Sequence, residues 1–324
     1  MPEIIGLGSI FVDYFFKGNK GFLKKYHLSP EDDCLFEAKK TSLSAISRQL
    51  PLLNRSPGGM TPNTIAVLSK LGIKVAYSGV LGKDRNAAYW LKNIGNFQKK
   101  AVRKGKTSVC ACILTDRGLK RAFLYNVNPA DNDFFLKPQI NWLNQAKIIY
   151  IGNFCLYPEK NIDNLIKLVQ KLKKPMIAFA PSIVYGRLGF NKLKPILKKT
   201  KFLFINSDEV RLLTGETINK GIKKLLSSGV KVIVCTLGSR GVRVIVKKSN
   251  FYLQAKKVKK IIDTTGAGDA FAAGFLFGIL KKKSLKWSAA FANKVAAKSI
   301  TGFGLSWLKN IEEFKLDAHN IIRN

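Results

Sequence analysis

The chain opens on an apolar run, "IIGLGSIFVD", that predicts a first strand over residues 3–12 with Asp13 where the strand ends. Residues 18–56 are polar and broken, except for a helical spacing over 37–50 that Pro51 closes. Past "PGGMTPNT", Ile65, Leu68 and Leu71 repeat at helical spacing as far as Gly72, and "KVAYSGVLG" reads as the next strand. Two strands within 107–126 form a hairpin about Asp116, Arg117 and Gly118, because Asp and Gly tolerate a turn's left-handed position. Strands and helices then alternate: "KIIYIG", a helix over 159–173, "PMIAFA", a helix near 191–199, "FLFIN", helices within 207–228, and "KVIVCTLG". A second hairpin at 242–262 leads to helices over 268–282 and 285–300.

Such alternation calls for a mainly parallel sheet covered by helices on both faces, with ligand sites beyond the carboxyl ends of the strands. Asp13, Asn206, Gly238 and Gly266 all stand at predicted strand ends. No repeat, low-complexity tract or linker divides the 324 residues.

Composition narrows the class. With 46% apolar residues the chain can build a sizeable core, while no run of roughly 18 apolar residues offers a membrane span. The start "MPEIIGLGSIF" lacks the basic region and cleavage site of a signal peptide, which fits a cytoplasmic protein. Five cysteines without a CxxC pair and only two histidines make zinc and disulfide frameworks poor readings, and Cys110 and Cys112 read as small residues on one face of a strand. The net charge of +36 should attract anions, but only 11 of the 56 basic residues are Arg and the rest are scattered Lys. That pattern fits a solvated surface better than a nucleic-acid reader, which would show Arg or interleaved aromatics.

The chemistry concentrates in "IIDTTGAGDAF", residues 261–271, where a strand-like pair gives way to two glycines and an aspartate. Phe271, Phe275 and Ile279, spaced i, i+4 and i+8, place the start of a helix near Gly268. Gly266, Ala267 and Gly268 leave the backbone bare, so that N–H groups can converge on an anion at the positive end of the helix dipole. Asp269 would repel that anion unless it takes a proton from a hydroxyl attacking phosphorus. The plainer alternative is a helix start in which Asp269 complements the dipole; no GxxxxGK[ST] loop occurs in the chain.

The stretch "DTTGAGDAFAAGF" resembles the C-terminal signature of the ribokinase-like, or PfkB, family of carbohydrate and nucleoside kinases. "SPGGMTPNTIAVLSKLG" resembles the family's GG-x-x-x-N segment at Gly58, Gly59 and Asn63, and "GSIFVD" its first strand ending in a substrate-binding Asp. "NSDE" at 206–209 is similar to its N-x-x-E motif, "CTLGSRG" to its T-x-G-x-x-G nucleotide loop, and "FANKVAAKSITGFG" to its closing helix. These stretches follow the family's order over essentially the whole chain. The resemblance implies an α/β fold: a ribokinase-like three-layer αβα sandwich with a mainly parallel central sheet and a small β-rich lid. It implies one kinase domain over 1–324, with lid segments at approximately 14–54 and 107–126 inserted in the α/β core.

It also implies ATP-dependent phosphoryl transfer to a primary hydroxyl of a sugar or nucleoside, with ATP and Mg2+ as cofactors. By the same resemblance Asp269 is the catalytic base, and the backbone of Gly266, Ala267 and Gly268 is the anion hole for the transferred group. Asp13, Gly58, Gly59 and Asn63 hold the acceptor. Asn206 and Glu209 organise Mg2+ through water, Thr236, Gly238 and Gly241 line the ATP side, and Asn293 lies near the adenine. On residue chemistry alone, Asp13 also reads as a turn former, Asn63 as a helix cap, and Asn206 as the cap of the helix that carries Glu209. Arg121 either reaches a substrate or faces solvent. Monovalent-cation activation and a homodimer through the lid are further implications.

Ala180, Pro181 and Ser182 depart from the Asp-Pro-Asn-like stretch of many sugar kinases, and the segment after Asp13 is closer to the adenosine-kinase-like branch. A sugar-phosphate kinase, a nucleic-acid-binding protein and a ligand sensor on the same fold stay open as alternatives.

Overall fold

Residues 1–29, 33–115, 120–131, 139–152, 159 and 161–311 are described by the computed structural model; the predicted turn at 116–118 lies outside them. The core sheet has nine strands. Its order is Ser249–Leu253, Val242–Val246, Val232–Thr236, Thr200–Asn206, Met176–Phe179, Ile148–Ile151, Ile4–Leu7, Val75–Ser78 and Gln98–Lys99. All neighbours pair in parallel except at the hairpin edge, where Val242–Val246 runs antiparallel to both of its partners. Successive side chains on a strand point to opposite faces. Ile4, Tyr77, Tyr150, Phe202 and Phe204 therefore meet Ile65, Phe271, Phe275 and Phe291 from the helices Met60–Lys70, Ala267–Leu280 and Leu285–Ser299. Ile5, Leu7, Ile151, Leu203 and Ile205 meet Leu165, Ile196, Leu213 and Leu225 on the other side, from four helices within 162–227. These are the expected three layers.

A second sheet of five strands, Asp33–Leu35, Lys120–Asn126, Ser108–Thr115, Phe11–Lys17 and Leu52–Gly58, lies apart from the first. Its outer face, with Val12, Phe16, Val109, Ala111, Ile113 and Leu124, is covered by Phe22 and Ile46 of the helices Lys20–Lys25 and Leu43–Ser47. Its inner face presents Phe11, Phe15, Cys110, Cys112 and Leu114.

The single strand expected over 3–12 is two strands in two sheets, Ile4–Leu7 in the core and Phe11–Lys17 in the lid. Asp13 thus sits inside a strand, opposite Ser56 and Cys110, rather than beyond its end. The helix expected over 37–50 is a 3-10 turn at Glu37–Lys39 and a short helix Leu43–Ser47, which starts where the Ser42 hydroxyl accepts a bond from the Ala45 N–H at 3.2 Å. The helix Arg85–Asn93 was not expected; the Asp84 carboxylate caps it by accepting from the Ala87 N–H at 2.8 Å, and Trp90 anchors it. Among the described residues no helix is long and apolar enough to cross a membrane.

Candidate active site

The helix Ala267–Leu280 begins one residue before the expected start, and Gly266, which precedes it as the N-cap, has a left-handed φ of 78°. No side chain caps this end. The Ala267 N–H donates to the Thr264 carbonyl at 3.3 Å, and the first-turn N–H groups after it point where an anion can be met. A Cβ at Gly268 would meet nothing within 4 Å, so the backbone there faces open space.

Asp269, in the first turn, is buried. Asn63, on the facing helix Met60–Lys70, donates from Nδ2 to Asp269 Oδ2 at 3.0 Å, and Thr64 Oγ1 donates to the Asp269 carbonyl at 3.2 Å. These bonds join residues roughly two hundred positions apart in sequence. The other side of the Asn63 amide, Oδ1, is buried and has no partner. An unpaired buried acceptor is costly, and here it belongs to a residue that lines a cavity.

That cavity, about 320 Å³, lies between the lid sheet and the strand ends. Asp13, Gly59, Asn63, Asn206, Glu209, Gly266, Ala267, Gly268 and Asp269 line it, so nine of the residues expected from sequence converge on one space. Gly58 acts from behind: a side chain there would overlap the Asp13 carboxylate. Thr236, Gly238, Gly241 and Asn293 lie outside the lining. Thr236 is nevertheless the register neighbour of Asn206, and Asn293 Nδ2 donates to the Gln254 carbonyl at 3.0 Å.

The sequence left several lining residues unassigned. Arg121 turns toward the cavity, not solvent, and Nη1 donates to the Thr264 hydroxyl in the loop before the anion hole, while Nε is buried without a partner. Phe11, Phe123 and Tyr125 form an aromatic wall, with Phe11 edge-on to Tyr125 at 5.6 Å between centroids. Ser182, Ile183 and Val184 stand opposite, Ser182 with a left-handed φ of 56° that is unusual for a residue with a side chain. Alternation of Arg121, Phe123 and Tyr125 along one strand face was the available signal, but it does not say which face meets the site.

Asn206 and Glu209 form a reciprocal capping box. Asn206 Oδ1 accepts from the Asp208 and Glu209 N–H groups at 2.9 and 2.8 Å, and Glu209 Oε2 accepts from the Asn206 N–H at 2.9 Å. The plain capping reading of Asn206 is thus realised, and both residues still line the cavity. The box uses only Oε2 of Glu209, so Oε1 is left over. A hard oxygen near a helix start without a side-chain cap is of the chemistry that the water shell of Mg2+ accepts.

Burial dominates the electrostatics. It pushes the Asp269 carboxyl up to about 8, opposed by the Asn63 bond and reinforced by the charges of Asp13 and Glu209. Asp13 is pushed up to about 7 by burial and by Asp263, and Glu209 to about 7 mainly by burial. Asp263 is also raised, chiefly by burial. Carboxylates crowded against an uncapped helix start, with one guanidinium, suit a site that receives a multiply charged phosphate carrying its own cation.

A family model described as pfkB family carbohydrate kinase matches residues 33–308. An uncharacterized sugar kinase of Archaeoglobus fulgidus is 31% identical over 247 residues, which cover 73% of this chain and 95% of that protein. Adenosine kinase of Saccharomyces cerevisiae is 26% identical over 333 residues, covering 94% and 96%. The solved structure of a probable sugar kinase from Rhizobium etli superposes with a TM-score of 0.83 at 20% identity, over 97% of this chain and 99% of that one, and so shares the ribokinase-like fold. The match spans the segments that carry Asn63, Glu209 and Asp269, and the chain belongs to the pfkB family of carbohydrate kinases.

Proposed function

We propose that this kinase transfers the γ-phosphoryl group of Mg·ATP to a primary hydroxyl of a nucleoside, with Asp269 as the general base. The observation that carries this reading is the Asn63–Asp269 pair: a buried carboxylate at an uncapped helix start, gripped by an amide whose own acceptor oxygen is unpaired in the same cavity. Asn63 Oδ1 then accepts one acceptor hydroxyl and Asp13 another, while Asp269 takes the proton of the hydroxyl that attacks. Gly266, Ala267 and Gly268 offer N–H groups to the transferring phosphoryl oxygens, and Arg121, through its reach to Thr264, adds a cation beside them. Hydrogen bonds to developing charge of this kind are worth roughly 10²–10³-fold each.

Mg2+ bound with ATP would screen the phosphate charge that these carboxylates otherwise meet. Glu209 Oε1 would hold a water of its shell, and Asn206 would position Glu209 through the capping box. A monovalent cation would find a buried unpartnered oxygen at Asp263 Oδ2. Thr236, Gly238, Gly241 and Asn293, outside the acceptor cavity, are assigned to the nucleotide.

The nucleoside is favoured over a free sugar because the lid wall is aromatic. Phe11, Phe123 and Tyr125, with Met60, Ile183 and Val184, offer flat apolar surface that a hexose would leave exposed to its hydroxyls. ADP release measured from Mg·ATP over nucleosides, pentoses, hexoses and their monophosphates tests this; turnover is expected on nucleosides. Turnover confined to hexoses would overturn the nucleoside, and no turnover on any acceptor would overturn the reaction.

Asn63→Ala should raise the acceptor KM by roughly 10-fold or more, the scale of one buried hydrogen bond lost with its partner stranded, with a smaller change in the KM for ATP. An unchanged acceptor KM in the folded variant would remove Asn63 from acceptor binding.

A further inference from the structure

Cys110 and Cys112 have no part in the proposed phosphoryl transfer, yet both line the cavity. They stand two apart on the lid strand Ser108–Thr115, so both face inward, and their Sγ atoms are 3.6 Å apart. Asp13 is the register neighbour of Cys110, and Phe123 that of Cys112, so the pair sits between the acceptor carboxylate and the aromatic wall. At 3% and 1% exposure the thiols are reached only through the cavity. Cys235 belongs to a different apolar cluster, in the core sheet.

Residues two apart on a strand are roughly 6.6–6.8 Å from each other along the chain. That is the outer limit of the Cα separation a disulfide spans, so direct S–S closure would pull the strand away from its partners. One atom bonded to both sulfurs makes no such demand. With bonds of roughly 2.3 Å and an angle between a right angle and tetrahedral, it needs the sulfurs roughly 3.3–3.8 Å apart. A linear two-sulfur centre would need roughly 4.6 Å. A tetrahedral ion would need further ligands, and among the described residues no group of three His, Cys, Asp or Glu is placed to hold a metal. Burial, aided by Asp13 and Asp263, raises the Cys112 thiol above its ordinary value. These conditions disfavour a cation that requires two thiolates and favour a neutral electrophile that exchanges oxygen for sulfur.

We propose that Cys110 and Cys112 form a dithiol site for trivalent arsenic compounds inside the acceptor cavity, and that filling it excludes the acceptor. The step is a condensation in which R–As(OH)2 and two thiols give R–As(S–Cys)2 and two waters. Two As–O and two S–H bonds break, two As–S and two O–H bonds form, and arsenic stays trivalent, so no oxidant or reductant is consumed. Exclusion of the acceptor rests on the acceptor site proposed above; capture of arsenic does not.

Phenylarsine oxide added to the intact protein is the probe, with the phenylarsenic groups counted by intact-mass spectrometry. One group per chain is expected, removable by a dithiol and not by a monothiol, and slowed in forming by saturating acceptor. The adduct should be lost in Cys110→Ala and in Cys112→Ala, persist in Cys235→Ala, and the inhibitory concentration should rise roughly 10²-fold when either partner is gone, as a chelate becomes a single contact. Cys112→Ser replaces the alanine variant where that one melts early. Absence of the adduct in the wild type, or its persistence in both single variants, overturns the site. An adduct that forms at the same rate with acceptor present, or leaves turnover intact, overturns the exclusion. An adduct with the expected variant dependence in a protein that phosphorylates no acceptor supports the dithiol site and counts against the acceptor reading, so the two failures are distinct.

Discussion

Asp269→Asn is expected to lower kcat by at least about two orders of magnitude, the lower end of general-base catalysis, while leaving the fold and nucleotide affinity close to wild type. The substituted amide keeps the size of the carboxylate and can still accept the Asn63 bond, so what is lost is the proton acceptor and not the shape of the cavity. The pH dependence separates this from a merely structural effect. Burial holds the Asp269 proton up to about 8, so kcat/KM for the wild type should rise with pH through that region as the base ionises. The residual activity of the variant should lack this limb. Stability should run the other way. In the unfolded chain the carboxyl ionises at roughly 4, whereas the native protein keeps the proton until about 8. The native state binds more protons over that interval, so this group's contribution to stability falls as pH climbs from roughly 4 to 8. Asp269→Asn removes the penalty, and its Tm relative to wild type should be higher at pH 9 than at pH 5. Near-normal kcat in the folded variant would take Asp269 out of the base role; a Tm difference independent of pH would say that the carboxyl is not buried as a charge.

Much of the core was readable because its periodicities are local. Each strand from Ile148–Ile151 to Val232–Thr236 is a short apolar run between turn residues, and the alternation with helices implies the parallel sheet without any long-range information. The lid was less readable for a physical reason. In "IIGLGSIFVDYFF" the apolar character is continuous across Gly8 and Ser9, so nothing in the pattern says that the chain leaves one sheet and enters another. That single misplacement put Asp13 at a strand end, although its real position, mid-strand and facing inward, is what sets it beside Cys110 and below Gly58. The helix Arg85–Asn93 did carry its signal, an Asp84 cap followed by Ala87 and Trp90 at helical spacing, but the segment is otherwise polar.

The site divides along the same line. Asn63, Glu209 and Asp269 could be picked out because each sits at a helix start with a recognisable neighbourhood, and the fold brings three such starts to one end of the sheet. Arg121 was undecided because its contact with Thr264 spans 143 positions and depends on how the lid is set over the core. Cys110 and Cys112 were correctly placed on one strand face, and only the tertiary arrangement makes that face the lining of the cavity.

Gly58→Ala should act on the acceptor through Asp13. The three atoms nearest to the added methyl all belong to the Asp13 carboxylate, so turning that one side chain relieves the closest contacts. Overpacking of this kind costs about 1–3 kcal/mol, which the paired strands Phe11–Lys17 and Leu52–Gly58 should survive. The turned carboxylate has poor places to go. Further into the cavity it approaches Asp269 and Asp263, whose charges already raise one another's or its own proton affinity; toward the sheet it meets buried apolar side chains. Either way the acceptor loses a charge-assisted bond worth about 1.5–3 kcal/mol, and its KM should rise roughly 10- to 100-fold with a smaller change in the KM for ATP. A double-mutant cycle identifies the route. If Gly58 matters only because it makes room for Asp13, adding Gly58→Ala to Asp13→Ala should change the acceptor KM hardly at all, a departure from additivity nearly as large as the single effect. Full additivity would mean that Gly58 contacts the acceptor through its own backbone, and Asp13 would then lose the position that the strand pairing assigns to it.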